Sequence, residues 1–292
     1  MEAEFRNGTL RTTDGLMLAF REYGSRIAKG TPVLCLPGLT RNAKDFHTIA
    51  ATLAPKRRVI ALDARGRGRS DYDPNFRNYN LVTEVGDVLS LISAEFDRPC
   101  IILGTSRGGL AAMILCGVRP SMVAGVVLND IGPVLEPKGL ERIVDYLGIK
   151  PDPLNTWDDA ITAMKASNKA DFPNLSEDEW RAWAERTFRE EEGKPVLDYD
   201  LKLRDAVLDS AGPIPEMWPQ FRAMLEIPTL VLRGENSDLL SAQTVDEMRR
   251  TKPDMTAVTV KNRGHVPFLD EPESLTAIQK LISKIDANGV SS

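Results

Sequence analysis

Histidine is scarce in this chain, with only His47 and His265 among 292 residues. That argues against a multi-histidine metal site, and no metal is expected. Cysteine is scarce too. Cys35, Cys100 and Cys116 are an odd number, each inside an apolar run, and read as reduced buried thiols, which points to the cytoplasm. No apolar stretch approaches about 20 residues, so no bilayer span is expected. The opening MEAEFRNGTL has two acidic residues and no apolar segment, unlike a secretory signal. Positive charge is not in excess: 37 Lys and Arg against 42 Asp and Glu leave a net charge of −5. Such a chain repels a phosphate backbone, so nucleic acid is a poor partner. Arg65, Arg67 and Arg69 form a local basic run, which reads as a solvated loop. Repeats of fixed period and low-complexity tracts are also lacking.

What is present is an ordinary globular composition, 42% hydrophobic and 27% charged, with enough apolar material for a sizeable core. Short β-rich runs alternate with helical patterns. Residues 16–23, 32–36, 58–63, 100–104, 125–128, 229–233 and 256–260 read as strands, several of them apolar throughout, as in a parallel sheet covered on both faces. Leu81, Val85, Val88, Leu89 and Ile92 form one helical stripe; Leu275, Ile278, Leu281 and Ile282 form another. This alternation predicts an α/β, doubly wound sheet. From Leu135 to about Ile227 no convincing strand appears, only helical patterns, one opened by a capping box at Ser176 and Glu179. So long a segment between two strands reads as an inserted helical cap. The division is a core of residues 1–133 and 228–292 and a cap of 134–227. All four tryptophans, Trp157, Trp180, Trp183 and Trp218, fall in the insert. They read as its own small core, or alternatively as the lining of a substrate pocket beneath it.

The most informative residues are Gly104-Thr105-Ser106-Arg107-Gly108, which follow the strand CIIL and precede a small apolar helix. G-x-S-x-G in that setting is a nucleophile elbow. Glycines on either side remove the Cβ atoms that so sharp a turn would force together. A serine hydroxyl needs a base. His265, in NRGHVP just past the last strand, lies at the sheet edge where open α/β folds build their sites; His47 reads as helix surface. The imidazole in turn needs an acid to fix its tautomer. Asp238, after the penultimate strand, is the preferred acid, and Asp130, just past an earlier strand, is the alternative. The backbone N–H of Arg107 and of Leu39, in the loop PGLTRN, are the expected oxyanion donors.

The segments LPGLTRN, ALDARGRGRSD, GTSRGG, VVLNDIGP, LRGENSD and NRGHVPFLDEP, in this order, resemble those of the α/β-hydrolase family across nearly the whole chain. The resemblance implies an eight-stranded, mostly parallel sheet with a helical cap after the sixth strand, Ser106, Asp238 and His265 as the triad, no cofactor, and a structural role for the arginine-rich loop. It is nearest to the esterase, enol-lactonase and haloperoxidase-like branches. Two positions depart from it. Pro37-Gly38 stands where many members have His-Gly, and Arg107 where many have Met, so that its charge must be paired or face the pocket.

The expectation is therefore a serine esterase or lactonase acting on a small molecule, as a monomer or homodimer, with activity rising as His265 loses its proton. Cleavage of a C–C bond in a β-diketone-type substrate, or perhydrolysis, would use the same triad. A non-catalytic ligand-binding protein on this fold is the alternative of a different class. If Arg41 or Arg107 faces the pocket, the substrate carries a carboxylate.

Overall fold

A computed structural model describes residues 4–209 and 215–289. Eight strands form one sheet in the order β1-β2-β4-β3-β5-β6-β9-β10. They are β1 (Arg6–Arg11), β2 (Met17–Tyr23), β3 (Val33–Leu36), β4 (Val59–Asp63), β5 (Cys100–Thr105), β6 (Val123–Asn129), β9 (Thr229–Gly234) and β10 (Thr256–Val260). β2 pairs antiparallel with β1 and β4, and all the other pairs are parallel. The sheet is thus the eight-stranded, mostly parallel one expected.

The continuous apolar runs are explained by helices on both faces. Leu34 and Leu36 of β3 point into one core with α2 (Leu81–Glu95), α3 (Arg107–Val118) and α9 (Ala242–Thr251). Val33 and Cys35 point into the other, with α1 (His47–Leu53) and α10 (Pro272–Gly289). The three cysteines are free and buried. Burial pushes the Cys100 and Cys116 thiols up to about 12 and Cys35 higher still, which leaves them inert.

Between β6 and β9 lie α4 (Pro137–Tyr146), α5 (Trp157–Asn168), α6 (Glu177–Thr187), β7 (Phe188–Glu191), β8 (Lys194–Leu197), α7 (Leu203–Asp209) and α8 (Trp218–Arg222). The β7–β8 hairpin corrects the expectation of an insert without strands. Its two-residue turn, Glu192-Gly193, has φ of 51° and 77°, the left-handed pair that a tight hairpin requires. The capping box at α6 is present, with Ser176 and Glu179 bonding each other's backbone N–H.

Trp157, Trp180 and Trp183 belong to the insert's own apolar cluster with Phe172 and Phe188. Trp218 instead packs beside Phe221 on the main core. The insert is fastened to the core at several places, among them an aromatic contact and a backbone one. Phe172 stacks on Phe268, and Trp183 meets the same ring edge-on. Residues 198–200 run along the arginine-rich loop, with Gly68 N–H donating to Asp198 O and Asp200 N–H to Gly66 O.

That loop corrects the reading of a solvated basic run. Arg65 and Arg67 are each 1% exposed, and only Arg69 reaches solvent. Arg65 forks onto Asp87 at 2.6 and 2.7 Å and also bonds Asp73 at 2.7 Å. Buried guanidinium groups are tolerable only when paired in this way, and the acids that pair them lie up to 22 residues further along the chain. Among the described residues no helix is long and apolar enough to cross a membrane.

Candidate active site

β3, β5, β6, β9 and β10 are parallel neighbours, so the loops that follow them gather at one edge of the sheet. Ser106 ends β5 with φ 50° and ψ −116°, a conformation that costs free energy for any residue with a side chain. The flanking glycines make it possible. A Cβ on Gly104 would lie 2.6 Å from Gly108 O, and one on Gly108 2.2 Å from Leu36 O. The Ser106 N–H is anchored to Asn129 O on β6 at 3.0 Å, and its carbonyl accepts from the N–H of Gly109.

His265 arrives from the sheet margin. Its loop crosses the end of β9 at Gly234, where a Cβ would meet Gly264 O at 2.4 Å. Pro267 O accepts from the Asn129 side-chain amide at 3.0 Å. The imidazole, 8% exposed, lies with Nε2 2.9 Å from Ser106 Oγ and Nδ1 2.8 Å from Asp130 Oδ2. Asp130 is fully buried and its carboxylate is filled by donors: the Gly234 N–H on Oδ1 at 2.8 Å, and the Ser237 hydroxyl on Oδ2 at 2.6 Å beside His265.

The preference for Asp238 as the imidazole's partner is therefore corrected. Asp238 is gripped by Arg142 of α4, with Nε at 2.6 Å and Nη2 at 2.7 Å. Burial opposes ionisation of Asp238, yet the Arg142 guanidinium, with a smaller contribution from His265, holds its carboxyl below the ordinary range. Asp238 is thus near His265 but faces the insert. Both aspartates follow apolar strands at the same edge, and the arginine that captures one of them lies in the long insert. Ser237 was not anticipated either; its only signal is its place beside Asp238 in the same strand-end loop.

Arg41 and Arg107 are both paired. The Arg41 guanidinium binds Asp45 and Thr187, and Arg107 Nε binds Glu84 at 2.6 Å. Their charges are committed to internal acids, which removes the observation on which a carboxylate-bearing substrate depended. Gly38 borders the nucleophile, since a Cβ there would lie 3.7 Å from Ser106 Cβ. Leu39 follows it, and Arg107 opens α3, where first-turn N–H groups have no partner within the helix. His47 is half-buried at the start of α1, with Nδ1 3.1 Å from the Tyr23 hydroxyl, on the other side of the first core.

Tyr146, at the end of α4, keeps 43% of its surface exposed, while the protein around it raises its phenol. Thr40 bonds the phenol, and Arg142, Arg41 and Asp238 act on it electrostatically. The insert's Asp171 packs against Gly264, and burial raises its carboxyl. None of the four tryptophans is among the groups that meet Ser106 or His265. Among the described residues no cluster of three or more His, Cys, Asp or Glu side chains is arranged to hold a metal.

Comparison with known proteins identifies the fold family. The sequence profile described as "Alpha/beta hydrolase family" matches residues 33–278. The chain is 33% identical over 267 residues to the 3-hydroxybutyrate-oligomer hydrolase of Cupriavidus necator, covering 88% of this chain and 90% of that one. It is 26% identical over 274 residues to the 2-(acetamidomethylene)succinate hydrolase of Mesorhizobium japonicum, covering 93% and 92%. Among solved structures, an alpha/beta hydrolase from Novosphingobium aromaticivorans superimposes with a TM-score of 0.90 at 40% identity, over 96% of this chain and 99% of that one.

Proposed function

The chain belongs to the α/β-hydrolase family, and we propose that it is a serine hydrolase that cleaves a carboxylic ester or lactone of a small molecule. The observation that carries the proposal is the unbroken line of hydrogen bonds from Ser106 through His265 to Asp130. His265 Nε2 takes the hydroxyl proton as Ser106 Oγ attacks the carbonyl carbon. Asp130 fixes the tautomer with hydrogen on Nδ1 and stabilises the imidazolium that forms. The carbonyl oxygen becomes an oxyanion, received by the N–H groups of Leu39 and Arg107.

His265 then gives its proton to the departing alcohol oxygen as the C–O bond breaks, leaving an acyl group on Ser106. Water, deprotonated by His265, attacks that acyl-enzyme, and His265 returns the proton to Ser106 Oγ as the acyl C–O bond breaks and the acid leaves. Every proton moved belongs to Ser106, water or the alcohol, and the steps call on no cofactor. The similarity to the 3-hydroxybutyrate-oligomer hydrolase makes short oligoesters of hydroxy acids the first substrates to try.

A fluorophosphonate probe tests the reading. The expected result is labelling of one site per chain and hydrolysis of short p-nitrophenyl esters, both lost in Ser106→Ala. Hydrolysis undiminished in Ser106→Ala would overturn it, and a native protein that neither labels nor turns over would be a binder on this fold.

A further inference from the structure

Arg107, which departs from the family pattern, and Arg67, of the arginine-rich loop, meet at one buried carboxylate. Glu84, on α2, is 8% exposed and bonds two guanidinium groups. Its Oε1 accepts from Arg67 Nη1 at 2.8 Å and its Oε2 from Arg107 Nε at 2.6 Å. Arg67 in turn donates from Nε to the backbone carbonyl of Leu39 at 2.8 Å, and Arg107 also donates from Nη2 to Tyr79 O at 3.2 Å. Leu39, through its carbonyl and Arg67, and Arg107, through its own side chain, are therefore tied to the two oxygens of one acid. Burial works against ionisation of Glu84, but Arg107 and Arg67 hold its carboxyl below the usual range.

Packing alone does not fix this region. Directly behind the elbow lies a cavity of about 20 Å³, walled by Pro37, Gly38, Arg67, Glu84, Arg107 and Gly108 among others, and by none of Ser106, His265 or Asp130. The back of the Pro37–Leu39 turn is thus faced in part by the charged side chains of Arg67, Glu84 and Arg107.

We infer that Glu84 is a positioning residue that aligns both oxyanion donors: it holds Leu39 through Arg67 and Arg107 directly. The inference rests on the oxyanion role proposed for the Leu39 and Arg107 N–H groups. A carboxylate shared by two guanidinium groups makes the two donors move together, so loosening it costs stabilisation of the transition state and leaves substrate binding alone.

The test compares Glu84→Gln with Asp87→Asn, which lies one helical turn on, borders the same cavity and breaks a buried pair with Arg65 that bonds neither Leu39 nor Arg107. Three quantities are measured in each: kcat and KM on a short p-nitrophenyl ester, the affinity for a boronic acid that forms a tetrahedral adduct on Ser106, and hydrogen exchange of the 38–41 amides. Glu84→Gln is expected to lower kcat about 30-fold with KM within about twofold, to weaken the boronate by a similar factor, and to speed loop exchange. Asp87→Asn is expected to lower the melting temperature and leave all three near the native values. Should Glu84→Gln not fold, Arg107→Met removes one tether and predicts the same pattern.

An unchanged kcat in Glu84→Gln, or an equal loss in Asp87→Asn, overturns the inference. Hydrolysis that survives Ser106→Ala instead overturns the proposed function. Loop exchange requires no turnover and decides the brace in that case as well.

Discussion

The loops after β6 and β9 each carry an aspartate close to His265, at the same edge of the same parallel sheet, yet the two carboxylates live differently. Asp130 is fully buried, and its oxygens are filled by a backbone N–H, a serine hydroxyl and the imidazole. Asp238 is about a tenth exposed, and both of its oxygens are taken by the planar fork of Arg142. A bidentate guanidinium saturates a carboxylate in a fixed direction, so Asp238 points to the insert and Asp130 to the base. Position at a strand end makes an acid available; the donors that satisfy it decide which neighbour it serves.

The sharpest way to break this comparison is to remove one charge at a time. Asp130→Asn should lower kcat by roughly 10³–10⁴, because the amide favours the wrong tautomer, whereas Asp238→Asn should lower it less than about fivefold. Steady-state kinetics on one ester checks both, and the reverse ranking would return the role to Asp238. A smaller effect is expected at Ser237. Ser237→Ala removes one hydrogen bond to Asp130, about 1 kcal/mol or roughly fivefold in kcat, and Ser237→Thr should restore most of it.

On stability the ranking inverts toward Asp238. Its pair with Arg142 ties α4 to the core, and Asp238→Asn should cost about 1–2 kcal/mol, between the exposed and buried limits for such pairs, read by urea denaturation near pH 7. The pH dependence sharpens the point. The folded carboxyl of Asp238 is held below its ordinary range by Arg142, so the pair's contribution is complete above about pH 4 and is lost as pH falls through the lower folded value. The native protein and Asp238→Asn should therefore differ most near neutrality and converge as pH falls below the ordinary carboxylate range. A gap that stayed constant with pH would contradict this assignment.

How much of the fold was legible follows the same division between local and distant causes. The apolar runs of β3 to β6, β9 and β10 announce themselves, because both faces of each strand are covered. The elbow at Ser106 is legible as a five-residue pattern, although its glycines answer both a local clash, Gly104 against Gly108, and a distant one, Gly108 against Leu36 of β3. β1 was not read, because RNGTLR is a mostly exposed edge strand with little apolar signal. β7 and β8 escaped notice for a similar reason: FREE and KPVL are short and charged, and only Gly193 marks the turn.

The burial of Arg65 and Arg67 was invisible for another reason. Three arginines in seven residues look solvated until Asp73, Glu84 and Asp87 are folded against them. His265 and Ser106 were within reach of sequence reasoning because their loops end adjacent chemistry on a recognisable sheet. The choice between two aspartates was not, because Arg142 and Ser237 act on them across the tertiary structure.

The most direct test is the rate at which a fluorophosphonate phosphonylates Ser106, displacing fluoride, in Asp130→Asn and in Asp238→Asn, measured side by side near pH 7. The account predicts a labelling rate reduced by orders of magnitude in the first and close to native in the second. Fast labelling in Asp130→Asn, with slow labelling in Asp238→Asn, would contradict it.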